Sequence, residues 1–325
     1  MPKNIVVCCD GTGNEFGRNN TNVVDLFNVV EKDSPKQIAF YDPGVGTAFN
    51  TFKKVIGGAF GGGITKNIED AYEYLMNRYE EGDKIYLFGF SRGAFTVRSL
   101  AGMLYKCGLL QKGSSNQIEY ATKVYSAHRN EDIAAGFKRT FSRKCPVYFV
   151  GVWDTVGSLG WVLRRKFHNT RLNPEVTYAY QAISIDEKRG KFPPSIWDEE
   201  SIDKTRQTVE QVWFAGVHSD VGGWYDERGL SNIALRWMIG KAQQCGLGMI
   251  HEQVNRIAPS PHDVMHESYQ GPWRLLGKKM REIRDGAIIH QSVFDRIGHE
   301  SNKYNPINLP QNCQKTDTDV AKPNE

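Results

Sequence analysis

The 325-residue, 36.8 kDa chain is long enough for one large α/β domain or two ordinary ones and too long for a mini-protein. Hydrophobic residues at 40% and charged residues at 24% match average soluble usage, which excludes a disordered chain. Forty-one basic against 37 acidic residues give only net +4, and mean hydropathy is −0.50 with no apolar run of the ~18 to 20 residues a spanning helix needs. The composition therefore demands neither nucleic acid nor a membrane span, and any lipid would be met from the water side.

In chain order, Met1-Pro2-Lys3-Asn4 runs straight into Ile5-Val6-Val7-Cys8-Cys9, without the apolar region and small-residue cleavage site of a signal peptide. The expectation is a cytoplasmic protein, or one exported by a route that uses no N-terminal signal peptide. Cys8, Cys9, Cys107, Cys145, Cys245 and Cys313 lack zinc-site or C-x-x-C spacing and read as reduced thiols. Residues 4–9 form a buried strand that ends in the turn formers Asp10-Gly11-Thr12-Gly13-Asn14, and residues 38–42 repeat the pattern. The glycine-dense stretch 57–63 reads as a loop. Ile68, Ala71, Tyr72, Leu75 and Tyr79 recur at helical spacing, predicting a helix over 64–81 that Gly82 ends.

A strand over 84–88 leads into Gly89-Phe90-Ser91-Arg92-Gly93, and Ala94, Val97, Leu100, Ala101 and Leu104 mark the next helix. Two more buried strands are expected, Val147–Trp153 closing on Asp154 and Val212–Val217 closing on His218. Between them residues 157–207 show little strand character and read as a cap-like excursion. A helix follows at about 231–245, then an irregular stretch over 247–285 and a short apolar run, 286–289, that carries His290. This rhythm predicts an α/β fold with a mostly parallel central sheet and helices on both faces. Residues 1–304 form one domain in this reading, and 305–325 a loose tail.

Gly89-Phe90-Ser91-Arg92-Gly93 is G-x-S-x-G in the strand-then-helix setting that the motif requires. A sharp turn there lifts the serine hydroxyl above the sheet, and the flanking glycines remove side chains that would collide. A serine needs a base to take its proton and an acid to orient that base. Asp154 and His218 end successive strands and supply one set. Asp220 and His290 have the same chain order and supply another, and spacing alone leaves both open. The backbone N–H of Arg92, with that of Gly11 or Thr12, could form the oxyanion hole. No cofactor is required. There is no P-loop and no G-x-G-x-x-G fingerprint.

Cys9-Asp10-Gly11-Thr12-Gly13-Asn14, Asp42-Pro43-Gly44-Val45-Gly46-Thr47, Gly89 to Ala94, Gly151-Val152-Trp153-Asp154-Thr155-Val156-Gly157 and Trp213 to Gly223 together resemble the α/β-hydrolase domain of type VI secretion phospholipase effectors. The resemblance covers about residues 4–300. It implies a serine esterase of the lipase or phospholipase type acting on a lipid or small ester, with Ser91 as nucleophile, Asp154 as acid and His218 as base, and so favours that set over Asp220 and His290. Within the excursion, Trp161-Val162-Leu163-Arg164-Arg165-Lys166-Phe167 mixes apolar and cationic side chains, as a peripheral contact with an anionic membrane would. Two rivals have other chemistry: metal-dependent phosphoester hydrolysis on Asp10, Asp154, His218 and Asp220, and a non-catalytic lipid- or partner-binding module on the same fold.

Overall fold

Neighbouring residues of β1 (Asn4–Cys9) point into different cores: Ile5, Val7 and Cys9 into one, Val6 and Cys8 into the other. A strand buried on both faces needs helices on both, which is the parallel-sheet condition. In the computed structural model of the chain, the described residues are 1–11, 19–32, 34–44, 61–127, 131–156, 171–299 and 303–316. One face is covered by α2 (Gly61–Arg78) and α3 (Arg92–Cys107), through Ile68, Leu75, Val97 and Leu100. The other is covered by α1 (Asn22–Val29) and a long helix over Gly229–Gln244, through Leu26, Leu235, Trp237 and Met238. Full burial of Ile5, Val6 and Val7 is worth roughly 1.5–3 kcal/mol each.

Besides β1, the sheet contains β2 (Gln37–Asp42), β3 (Lys84–Phe90), β4 (Val147–Trp153), β5 (Tyr178–Ser184), β6 (Thr208–Phe214), β7 (Ile288–His290) and β8 (Gln314–Thr316). Their order is β2-β1-β3-β4-β5-β6-β7-β8, and every neighbouring pair is parallel. The expected α/β architecture is therefore formed. The chain leaves β1 toward one edge and returns to build the rest of the sheet on its other side, so strand order reverses between β1 and β3. The carboxyl ends at such a reversal open the crevice where ligands bind in sheets of this type. Asp10 and Ser91 lie there.

Several boundaries differ from expectation. Residues 157–207 contain β5, a central strand whose Ala179 to Ser184 are all buried; Gln181, Ser184 and two alanines hide it from a search for β-branched runs. Residues 157–170, with the basic Trp161–Phe167 segment, lie outside the described residues. Gly61, Gly62 and Gly63 open α2 rather than belong to a loop, and 57–60 lie outside the described residues. That helix ends at Arg78, where the Glu80 N–H donates to the Asp83 carboxylate at 2.9 Å. The strand expected at 212–217 begins at Thr208 and stops at Phe214, so His218 opens the short helix α4 (His218–Gly222) instead of closing a strand. The irregular stretch holds a helical turn at His251–Asn255 and a 3-10 turn at Gly271–Leu276. The tail is not loose up to residue 316: β8 pairs with β7, and Asn308 donates to the carbonyls of Ile185 and Arg281 at 3.1 and 3.0 Å. All six cysteines are free thiols.

Candidate active site

β3 stops abruptly because Ser91 adopts φ 57°, a region open to few side chains, before α3 begins at Arg92. The turn closes tightly against the neighbouring strand. A Cβ on Gly93 would lie 2.0 Å from the Cys9 carbonyl oxygen, and one on Gly89 would lie 2.5 Å from that of Gly93. Only glycine fits either position. Asp154 also has positive φ, 38°, and with Ser91, Trp224 and Lys303 completes the non-glycine residues of that kind among the described residues. Strain of this sort persists where the surroundings over-determine it and clusters at functional sites.

The Ser91 side chain does not cap α3, as a turn serine would. Its Oγ lies 2.8 Å from His218 Nε2, and His218 Nδ1 lies 2.5 Å from Asp154 Oδ2. An ionised Asp154 holds the proton on Nδ1 and leaves Nε2 free to accept from the serine hydroxyl. Ser91 is 9% exposed, His218 5% and Asp154 fully buried. The imidazole sits between Phe90, at 4.6 Å between ring centroids, and Phe192, edge-on at 5.4 Å. Burial pushes the His218 ring below its ordinary 6.5, against the opposing pull of Asp154.

Arg281 escaped the sequence reading. Its Nη1 donates to Asp154 Oδ1 at 2.5 Å and to the Ser184 carbonyl at 2.8 Å, and its Nη2 to Asp154 Oδ2 at 2.9 Å and the Phe192 carbonyl at 2.9 Å. Burial would raise the Asp154 carboxyl. The charge of Arg281 and the bond from His218 outweigh it and hold the group well below its ordinary value. Arg281 stands in a run of cationic residues, Lys278-Lys279-Met280-Arg281, and nothing in that run separates a buried clamp from a solvated face. Glu187 was also missed. It accepts the His218 backbone N–H at 3.3 Å and pairs with Arg189 at 2.8 Å; burial would raise its carboxyl, but Arg189 brings it down to about 2.

The second set is not assembled. Asp220 accepts from the Val217 N–H at 2.9 Å and pairs with His266 Nδ1 at 2.7 Å, while His290 Nδ1 meets Ser292 Oγ at 2.8 Å and its ring stacks on Phe214. Of the oxyanion candidates, Arg92 opens α3, where first-turn N–H groups fall outside the helix's own ladder. The Gly11 N–H instead donates to Asp10 Oδ1 at 2.6 Å, and Thr12 lies outside the described residues. Of the four residues of the metal alternative, Asp154 and His218 are bonded to each other, and each of the three carboxylates is taken up by other protein groups. Asp10 accepts from Thr21 and Tyr41, Asp154 from Arg281, and Asp220 from His266. Among the described residues no group of three or more His, Cys, Asp or Glu is placed to hold a metal ion.

A cavity of about 760 Å³ borders this site without Ser91 among its lining. It meets the site at Phe95, one turn of α3 beyond Ser91, and at Thr155, the residue after Asp154, and continues along α3 past Arg98 and Tyr105.

Residues 3–241 match the family described as T6SS, phospholipase effector Tle1-like, catalytic domain. An uncharacterized protein of Saccharomyces cerevisiae is 36% identical over 217 residues, covering 58% of this chain and 32% of its own length. Among solved structures, an uncharacterized protein from Pseudomonas aeruginosa superposes with TM-score 0.48 at 18% identity, over 80% of this chain and 49% of that one. The Tle1 effector bound to the VgrG spike of the type VI secretion system superposes with TM-score 0.35 at 18% identity, over 69% and 52%. The chain thus spans about a third of the yeast relative and about half of each of these structures.

Proposed function

The chain belongs to the family of Tle1-like phospholipase effector catalytic domains, and from that premise we propose that it hydrolyses carboxylic esters of lipids, phospholipids foremost, through an acyl-enzyme on Ser91. The observation that carries the reading is the continuous run from Ser91 Oγ through His218 to Asp154, at 2.8 and 2.5 Å. In the proposed reaction Ser91 Oγ attacks the acyl carbon as its proton passes to His218 Nε2. The tetrahedral intermediate collapses, the ester C–O bond breaks, and His218 returns the proton to the departing alcohol. Water then enters by the same route in reverse and releases the fatty acid. The N–H of Arg92, at the positive end of the 16-residue helix α3, is the first proposed donor to the oxyanion. Gly11 would join it only on releasing Asp10. Every group involved lies along the one central sheet, whose last strand reaches Thr316, and the cavity along α3 falls in the size range of small-molecule sites.

Among the described residues no helix is long and apolar enough to cross a membrane. A lipid would therefore be taken from a surface or a micelle. The test is product analysis by mass spectrometry after incubation with phosphatidylglycerol in mixed micelles containing a chelator. Free fatty acid and lysophospholipid are expected, at a rate the chelator leaves unchanged. Release of the phosphorylated headgroup, or loss of turnover in chelator, would move the reading to metal-dependent phosphoester cleavage. Binding without any turnover would leave a non-catalytic module.

The pH dependence has a defined sign. His218 works as base only when neutral, and burial lowers its proton affinity below the ordinary 6.5. Turnover of a soluble ester is therefore expected to rise with pH along a limb centred below 6.5 and to be level by neutrality. The same shift makes folding disfavour the imidazolium, so stability falls as pH drops below about 6.5. An acid limb centred above 7 would contradict the assignment.

A further inference from the structure

Beside the site, the 3-10 turn Gly271–Leu276 does something that neither the fold nor the ester chemistry asks of it: it holds a large apolar side chain in water. Leu275 is 77% exposed, and Arg274, Lys278 and Lys279 around it are exposed as well. Of the nearby carboxylates, Glu282 lies 3.9 Å from Lys279 and is itself exposed, Asp285 is exposed, and Glu267 is taken up by Lys188. The exposed charge over 271–284 remains positive. An exposed leucine with exposed long cationic side chains beside it in the chain is the composition of an interfacial contact, in which the apolar group enters the acyl boundary and the cations meet phosphate oxygens.

The turn is fixed to the site. The Gly190 N–H donates to the Gly277 carbonyl at 2.7 Å and the Lys279 N–H to that of Lys188 at 2.9 Å. Trp273 meets Phe192 edge-on at 5.9 Å, the Arg189 guanidinium lies over both rings, and Phe192 in turn contacts the His218 ring. One side chain, Phe192, thus links the Trp273 end of the turn to the imidazole beside Ser91. A surface that received Leu275 would lie at the same edge of the sheet as the nucleophile.

We infer that the segment 271–279 is the element that docks the protein on an anionic phospholipid bilayer, with Leu275 inserted at the headgroup boundary and Arg274, Lys278 and Lys279 against lipid phosphates. The inference rests on the lipid-ester reading above and deepens it. It is independent of the basic segment 161–167.

The test is co-sedimentation of the full chain with vesicles of phosphatidylcholine alone or mixed with phosphatidylglycerol, alongside turnover of a short-chain soluble ester. Binding is expected only with phosphatidylglycerol and is weakened by salt. Leu275→Asp, and Lys278→Glu with Lys279→Glu, each weaken it by about tenfold or more while soluble-ester turnover stays within about twofold. Wild-type binding by either variant, or no vesicle binding by the wild type, would overturn the inference. So would light scattering that shows a dimer lost in Leu275→Asp, since the leucine would then cover a second copy. Vesicle binding that depends on the turn in a protein that cleaves no ester would uphold the docking and sink the esterase reading. Full soluble-ester turnover with variant-insensitive vesicle binding would do the opposite.

Discussion

Replacing Ser91 with alanine is expected to lower kcat on a soluble short-chain ester by about 10⁴- to 10⁶-fold, and His218→Ala by a similar factor. In the proposed mechanism the two act as one unit, because the Ser91 hydroxyl lies 2.8 Å from His218 Nε2. The double variant should therefore be scarcely slower than either single one. His290→Ala is the control. Its ring is stacked on Phe214 and bonded to Ser292, so its loss is expected to touch packing and leave kcat within a few-fold. Steady-state kinetics on the three variants, each checked for native circular dichroism, decides the matter. A His290→Ala variant as inactive as Ser91→Ala would move the base to β7.

Arg281→Gln should be the most destabilising single change at the site. Asp154 is fully buried, and its two oxygens receive both Nη atoms of Arg281 as well as His218 and the Ser184 N–H. Removing the guanidinium leaves a buried carboxylate short of charge compensation, a change that costs about 3–5 kcal/mol. The cost must depend on pH in one direction. Because the fold holds the Asp154 carboxyl well below its ordinary 3.8, the pair contributes fully above that value and fades as pH falls toward the folded one. Urea unfolding of wild type and variant should accordingly show the widest gap at pH 7 and a narrower gap at pH 3. A gap under about 1 kcal/mol at pH 7, or one that does not narrow on acidification, would remove Arg281 from its role as clamp. The clamp acts on the base as well: with its charge gone, Asp154 favours the imidazolium more strongly, and the acid limb of turnover should move upward.

The sequence reads this molecule best where local chemistry is forced. Five uninterrupted apolar residues before Asp10-Gly11, and seven residues from Lys84 to Phe90 before Ser91, have few solutions other than buried strands that feed tight turns, and both form. Ser91, Asp154 and His218 each follow an apolar run, but so does His290, and only the family resemblance favours the first set; in the structure Ser91 bonds to His218 and His218 to Asp154, although His218 opens a helix rather than closing a strand. Strand β5 was illegible because Tyr-Ala-Tyr-Gln-Ala-Ile-Ser balances small and polar residues against aromatic ones, and only its place between β4 and β6 makes it a strand. Arg281 was illegible for another reason. Its partner is 127 residues away, and a lone cation in a basic, irregular stretch carries no periodicity.

The central claim is that the Ser91 hydroxyl, stripped by His218, bonds covalently to the acyl group. Incubation with a fluorophosphonate, digestion and mass mapping of the adduct address it most directly. The expected result is one modified residue, Ser91, labelled much more slowly in His218→Ala than in His290→Ala. An active preparation that carries its adduct elsewhere, or labels Ser91 equally fast without His218, would contradict it.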